Sequence, residues 1–181
     1  MSKVENFIDH LEELVKKEDR ATLARLRHRL AFDSEENPPV IGFVERFTSS
    51  LEDYQVWERE AYYLTASLFA THPDQSKDES ESLGATFRRV YYERGESESV
   101  EKRFLALIDA DSEQITNRLR HAIKLIRSNE FSVNYDLLLL HLKSWQSEKH
   151  WVQQRWARDF YRPFEVETEP KSAPTINTIN E

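Results

Sequence analysis

Apolar residues recur at helical spacing along most of this chain and nowhere alternate with period two over a useful length. Val4, Phe7, Ile8, Leu11, Leu14 and Val15 predict an amphipathic helix over 3–17 with one buried stripe. Leu23, Leu26 and Leu30 carry a second over 20–31, which the acidic, double-proline segment 33–39 stops. A third stretch covers 40–47. An aromatic-rich helix over 54–71 ends at His72-Pro73, and the polar run 74–82 follows as a surface loop. Beyond it Leu83, Phe87, Val90 and Tyr91 fall at i, i+4, i+7 and i+8, with Gly95 where a helix C-terminal glycine belongs. Val100, Phe104, Leu107 and Ile108 line the next helix, and Asp111 with Gln114 gives a capping-box-like start to one running to about Arg127. Ser132 or Asn134 caps a helix over 135–145, and Ser147 one that ends near Pro163. The expectation is an all-α protein: an N-terminal helical bundle at 1–82, a C-terminal helical bundle with basic faces at 83–164, and a disordered polar tail at 165–181.

With 181 residues, the chain is long enough to bury a core although only 39% of it is apolar. No window approaches the roughly eighteen consecutive apolar residues of a membrane span, and the start MSKVENFIDHLEELVKKED lacks the apolar run of a signal peptide. The expected setting is cytoplasmic. There are no cysteines, which excludes disulfides and thiolate chemistry, and three glycines leave little material for phosphate-cradling loops. A formal charge of −8 argues at first against nucleic acid. Its uneven distribution reopens that possibility: residues 1–83 carry 10 basic and 18 acidic side chains, whereas residues 84–162 carry 14 and 11.

The most basic stretch is 115–127, where Arg118, Arg120, Lys124, Arg127 and His121 occur without one carboxylate, opposite an apolar face of Ile115, Leu119, Ala122 and Ile126. Arg120, Lys124 and Arg127, at i, i+4 and i+7, form one stripe able to meet successive phosphates; a solvated helix face accounts for the same pattern. The tetrapeptide Arg-Leu-Arg-His occurs at 25–28 and again at 118–121, too short to establish a repeat. Arg88-Arg89 and the cluster Lys143, Lys149, Arg155 and Arg158 extend a positive track or pair with nearby acids such as Asp159. Trp145, Trp151, Trp156, Phe160 and Tyr161 have the composition of a base-stacking surface, but aromatics on amphipathic helices more commonly supply buried area. No phosphate-loop, His-Glu-x-x-His or glycine-flanked serine motif is present, and the six histidines lack zinc-ligand spacing, so neither catalysis nor a metal or other cofactor is expected.

The segment 83–161 resembles CasB, the small subunit of the type I-E CRISPR Cascade complex. It has a Leu-Gly-x-x-Phe-x-Arg start at Leu83, a Glu-x-x-Phe-x-x-Leu-Ile-x-Ala-Asp helix from Glu101, and the ending Arg155-Trp156-Ala157-Arg158-Asp159-Phe160-Tyr161. Upstream, Asp19 to Arg27 (DRATLARLR) and Leu68 to Pro73 (LFATHP) are similar to the family's N-terminal stretches. The family often has more arginines before its ending, where this chain reads His150-Trp151-Val152-Gln153-Gln154. The resemblance implies two helical bundles in one elongated subunit, present as two copies beside other Cascade subunits and guide RNA, without nuclease activity. Its work would be to stabilise the R-loop and the displaced strand of target DNA. Arg25, Arg27, Arg29, Arg88, Arg120, Lys124, Arg127 and Lys143 are then the candidate contacts to nucleic acid. A clamp that touches only protein neighbours is the alternative.

Overall fold

The computed structural model describes residues 3–32, 38–78 and 80–163, and the expected tail at 165–181 lies outside them. Nine α-helices run along the described chain: α1 (Lys3–Lys16), α2 (Arg20–Phe32), α3 (Pro38–Thr48), α4 (Val56–Thr71), α5 (Leu83–Glu93), α6 (Glu98–Ile108), α7 (Ile115–Ser128), α8 (Tyr135–Lys143) and α9 (Trp151–Tyr161). The fold is all-α; the one bridge outside helices pairs Gln75 with Val133. Among the described residues no helix is long and apolar enough to cross a membrane.

Most ends form as the local chemistry dictates. Gly95 takes φ of 65° just past α5, the left-handed conformation that costs glycine nothing. Asn134 caps α8, its side-chain oxygen accepting from the Leu137 amide at 2.8 Å. Three starts differ from expectation. Pro38 and Pro39 open α3 rather than only closing what precedes, because a proline in the first turn needs no amide hydrogen and arrives with helical φ. Asp111 accepts from the amides of Glu113 and Gln114 at 3.0 and 2.8 Å and so closes a separate turn, and α7 begins after it at Ile115. The last helix starts at Trp151, behind His150 in left-handed conformation at φ 46°, not at Ser147. The loop 74–82 is also less superficial than its polarity implies: Ser76, Glu81 and Ser82 are buried, and the Ser76 amide donates to Val133 O at 2.9 Å.

One apolar cluster runs from Val4 to Phe160. At its centre lies α4, whose residues 61–70 are all buried, as befits a helix apolar on every side. It packs on α2 and α3 before it in sequence and on α7 and α8 after it, so the core is continuous across the expected boundary at 82/83. The other principal contact is α5 against α9. There Gly84 meets the backbone of Trp156. An added Cβ would sit 2.7 Å from Trp156 Cα, 2.8 Å from its carbonyl carbon and closer still to its carbonyl oxygen. Side chains lock the crossing: Ser82 Oγ donates to Asp159 Oδ2 at 2.5 Å, and Trp156 Nε1 donates to His141 Nδ1 at 2.9 Å. Phe160 stacks on Phe104 with centroids 4.2 Å apart, which fixes α6 in turn.

Gly84→Ala should therefore lower stability by about 2–3 kcal/mol, because a backbone cannot step aside as a side chain would. In contrast Gly42→Ala, in α3 with nothing within 4 Å, should raise it by up to about 1 kcal/mol. Urea unfolding of the two variants checks both signs.

His141 is buried, and burial, aided by the charge of Arg155, lowers its pKa to about 4 against the opposing pull of Asp159. Accepting from Trp156 leaves it neutral in the native state, while the unfolded imidazole takes a proton near its ordinary value of 6.5. The unfolded chain thus binds more protons between those limits, so this contribution is complete above pH 6.5 and disappears as the pH falls toward 4. It amounts to about 3 kcal/mol. His141→Gln should flatten the dependence of the urea midpoint on pH across that window.

Candidate nucleic-acid interface

Helix α7 buries Ile115, Leu119, Ala122, Ile123, Leu125 and Ile126 and turns its basic side outward. Its cations divide between two flanks. On one, Arg120 is half-buried and donates to Asn117 Oδ1 at 2.7 Å, while Arg127 Nη1 donates to Thr71 O at 3.1 Å and ties α7 to the end of α4. On the other, Arg118, His121 and Lys124 face the crossing of α5 and α6. Lys124 belongs to both, at the outermost line of the helix.

The second flank borders a pocket of about 520 Å³. Arg94 at the end of α5, Arg103 of α6, and Arg118, His121, Lys124 and Ser128 of α7 line it, above Phe87, Ala122 and Leu125. No carboxylate is among these residues. Asn129 Oδ1 holds Arg94 Nε at 2.8 Å. Arg103, Arg118 and Lys124 enter no ion pair among the described residues. The crowding registers on His121, whose pKa is lowered by desolvation first and then by Arg120, Lys124, Arg118 and Arg103.

The remaining candidates are dispersed. Arg25 and Arg27 are exposed on α2, which touches α7; Arg27 Nε donates back to Leu23 O at 3.2 Å. The side chain of Arg29 lies outside the described residues. Arg88 is half-buried and donates to Arg162 O at 3.2 Å, beside a mixed-charge cleft that includes Asp78, Glu81 and Asp159. Lys143 is matched within the fold: its ammonium lies 2.6 Å from Glu58 and over the Tyr62 ring. Asp159 pairs with Arg155 at 3.8 Å and Arg162 at 3.6 Å rather than with Arg158. Of the aromatics, Trp145, Trp156 and Phe160 are core; Trp145 Nε1 donates to Ala110 O at 3.1 Å. Trp151 and Tyr161 reach the surface, the latter donating to Glu101 at 2.7 Å.

Sequence reasoning missed Arg94, Arg103 and Arg118 as a group. Arg118 stood in the carboxylate-free stretch and in the second Arg-Leu-Arg-His, a usable signal. Arg94 and Arg103 lie amid Glu93, Glu96 and Glu101, and only the crossing of three helices collects them.

Fold and surface together define an all-helical protein in which, among the described residues, Arg103, Arg118 and Lys124 gather without ion pairs at one concave site. The family model for CRISPR-associated protein Cse2 matches residues 22–161. A CRISPR-associated protein Cse2 of Thermus thermophilus is 40% identical over 173 residues, 94% of this chain and 97% of that protein. The crystal structure of CasB from Thermus thermophilus superposes with a TM-score of 0.75 at 38% identity, covering 89% of this chain and 99% of the other. A chain of a CRISPR RNA-guided surveillance complex has a TM-score of 0.73 at 18% identity, over 88% and 92% of the two chains, and attests the fold alone. This chain belongs to the Cse2 family, the family of CasB that its motifs resemble.

The electrostatics of the pocket are open to direct measurement. His121 should titrate below the ordinary histidine value in low salt, and its pKa should climb as added salt screens the surrounding cations. Side-chain NMR of His121 at two ionic strengths, with Arg118→Ala as the variant that also raises it, checks the assignment.

Proposed function

We propose that this protein is a non-catalytic small subunit of an RNA-guided CRISPR interference complex, a Cascade, in which it holds nucleic-acid backbone and thereby stabilises the R-loop and displaced strand. Membership in the Cse2 family supports the setting, and the carboxylate-free cationic surface of α7 carries the reading of its role. Opening a target duplex against a guide exchanges one duplex for another at nearly balanced free energy. A few charge-assisted contacts to phosphate suffice to tilt that balance. They need no base recognition, which fits a subunit serving any guide. The overall charge of −8 complements this role: the acidic body disfavours indiscriminate binding, while a local cationic face acts once the complex has brought a strand to it.

Arg120, Lys124 and Arg127 are the proposed principal contacts, with Arg25 and Arg27 of α2, which touches α7, extending the track; Arg29 and Arg88 complete the candidate set. Lys143 takes the weakest part, since Glu58 already neutralises it. Two copies along the complex would lengthen the track.

Alanine at Arg120, Lys124 and Arg127 together should shorten R-loop lifetime in reconstituted complex irrespective of sequence, and should reduce the salt slope by about 0.7 for each single-strand phosphate no longer neutralised. Because Arg127 also binds Thr71 O, thermal unfolding and complex assembly are measured in parallel. Undiminished lifetime in a fully assembled mutant complex would instead favour a clamp that meets only protein neighbours.

A further inference from the structure

The pocket between α5, α6 and α7 has more room and a different lining than backbone tracking requires. A phosphate diester running over a protein surface needs exposed cations spaced along a line. Here Arg94, Arg103, Arg118 and Lys124 come from three elements and converge on one half-open volume of about 520 Å³, within the range of sites that take small organic ligands. Gathering them is unfavourable without an anion; the pKa of His121, lowered first by desolvation, is lowered further by Arg120, Lys124 and Arg118 on its own helix and Arg103 on α6. Yet the lining is not only cationic. Phe87, Ala122 and Leu125 close the floor as nearly buried core, and the aliphatic stems of the arginines and Lys124 stand over them as hydrocarbon that a bare phosphate would not engage.

We propose that this pocket seats one whole nucleotide of a single strand, its phosphate among the charged ends of Arg103, Arg118 and Lys124 and its base or sugar against their aliphatic stems above Ala122 and Leu125. The inference rests on the nucleic-acid reading above and specifies its ligand. A paired nucleotide cannot turn inward without losing its stacking and its partner, whereas an unpaired one has already done so, and the site therefore selects single strands over duplex. Arg94, anchored by Asn129, forms the rim, and neutral His121 gains a proton's stabilisation when a phosphate arrives.

The test uses the full chain, isolated and isotope-labelled, titrated separately with inorganic phosphate, with dTMP and dAMP, with a dT oligonucleotide and with a duplex of equal length, reading the His121 ring signals. The mononucleotides should shift His121, raise its pKa and bind at least about fivefold tighter than inorganic phosphate, the low end of what packing one base contributes. The oligonucleotide should displace dTMP, the duplex should not, and Arg118→Ala with Lys124→Ala, both exposed, should abolish the shift while leaving circular dichroism unchanged. Equal affinity for phosphate and mononucleotides would overturn the nucleotide and leave a simple anion site. Oligonucleotide binding without any change at His121 would overturn the pocket while sparing the proposed function. Mononucleotide binding at His121 with no oligonucleotide binding would overturn the single-strand site, leave a pocket for free nucleotides, and count against the functional reading.

Discussion

The structure depends on one close approach of backbone to backbone, where α5 crosses α9 with only a hydrogen on Gly84 between it and the carbonyl of Trp156. Helices that meet this tightly place the next layer of side chains without slack. Trp156 is driven into the core, where its indole nitrogen finds His141; Asp159 comes within reach of Ser82; Phe160 lies flat on Phe104. Each contact constrains a different helix, so α6, α8 and the loop before α5 are all positioned from this crossing. The cationic pocket lies on the far side of the same construction, floored by Phe87 of α5 and walled by Arg103 of α6. The family motifs thereby acquire a structural meaning: the Leu-Gly opening and the Arg-Trp-Ala-Arg-Asp-Phe-Tyr ending are two halves of one joint.

What the chain discloses without coordinates follows from the range over which each cause acts. The buried stripe of α1, the glycine after α5 and the asparagine cap of α8 are decided within a turn or two, and their residues announce them. Asp111 misleads because its side chain caps a single turn that runs into the helix, its carbonyl accepting from the Ile115 amide at 3.0 Å, and only the subsequent backbone tells where α7 itself begins. The loop 74–82 misleads for another reason: Glu81 is charged and reads as surface, but Arg89 meets it at 2.7 Å and makes burial tolerable. Lys143 looks like part of a positive track until Glu58, 85 residues earlier in sequence, is brought beside it. Along α7 the basic face was legible because helical spacing alone creates it. The pocket was not, since Arg94 and Arg103 become its walls only through tertiary packing.

Charge is handled in two opposite ways within one small body. Where Arg89 and Lys143 lie across contacts between elements, each has its carboxylate, Glu81 before α5 and Glu58 on α4, and these pairs help to dock the elements. Around Arg103, Arg118 and Lys124 the carboxylates are withheld. Unmatched cations add nothing to folding and cost some repulsion, and it is on their concentration in one concavity that the proposed nucleic-acid contact rests.

Helix α4 carries a consequence for how this protein comes into being. Ten consecutive residues, 61–70, are covered on every side, and part of that cover is α7 and α8, some sixty positions further along. The Tyr135 hydroxyl closes the arrangement by donating to His72 O at 2.6 Å. A ribosome therefore releases α4 well before its cover exists, and for the time needed to add those residues an uncharged, aromatic-rich segment stands open to any neighbour. Fragments that end before α8 share that exposure permanently. The same geometry that makes the finished core continuous thus leaves the nascent N-terminal half with the kind of open apolar surface that favours aggregation until α7 and α8 arrive.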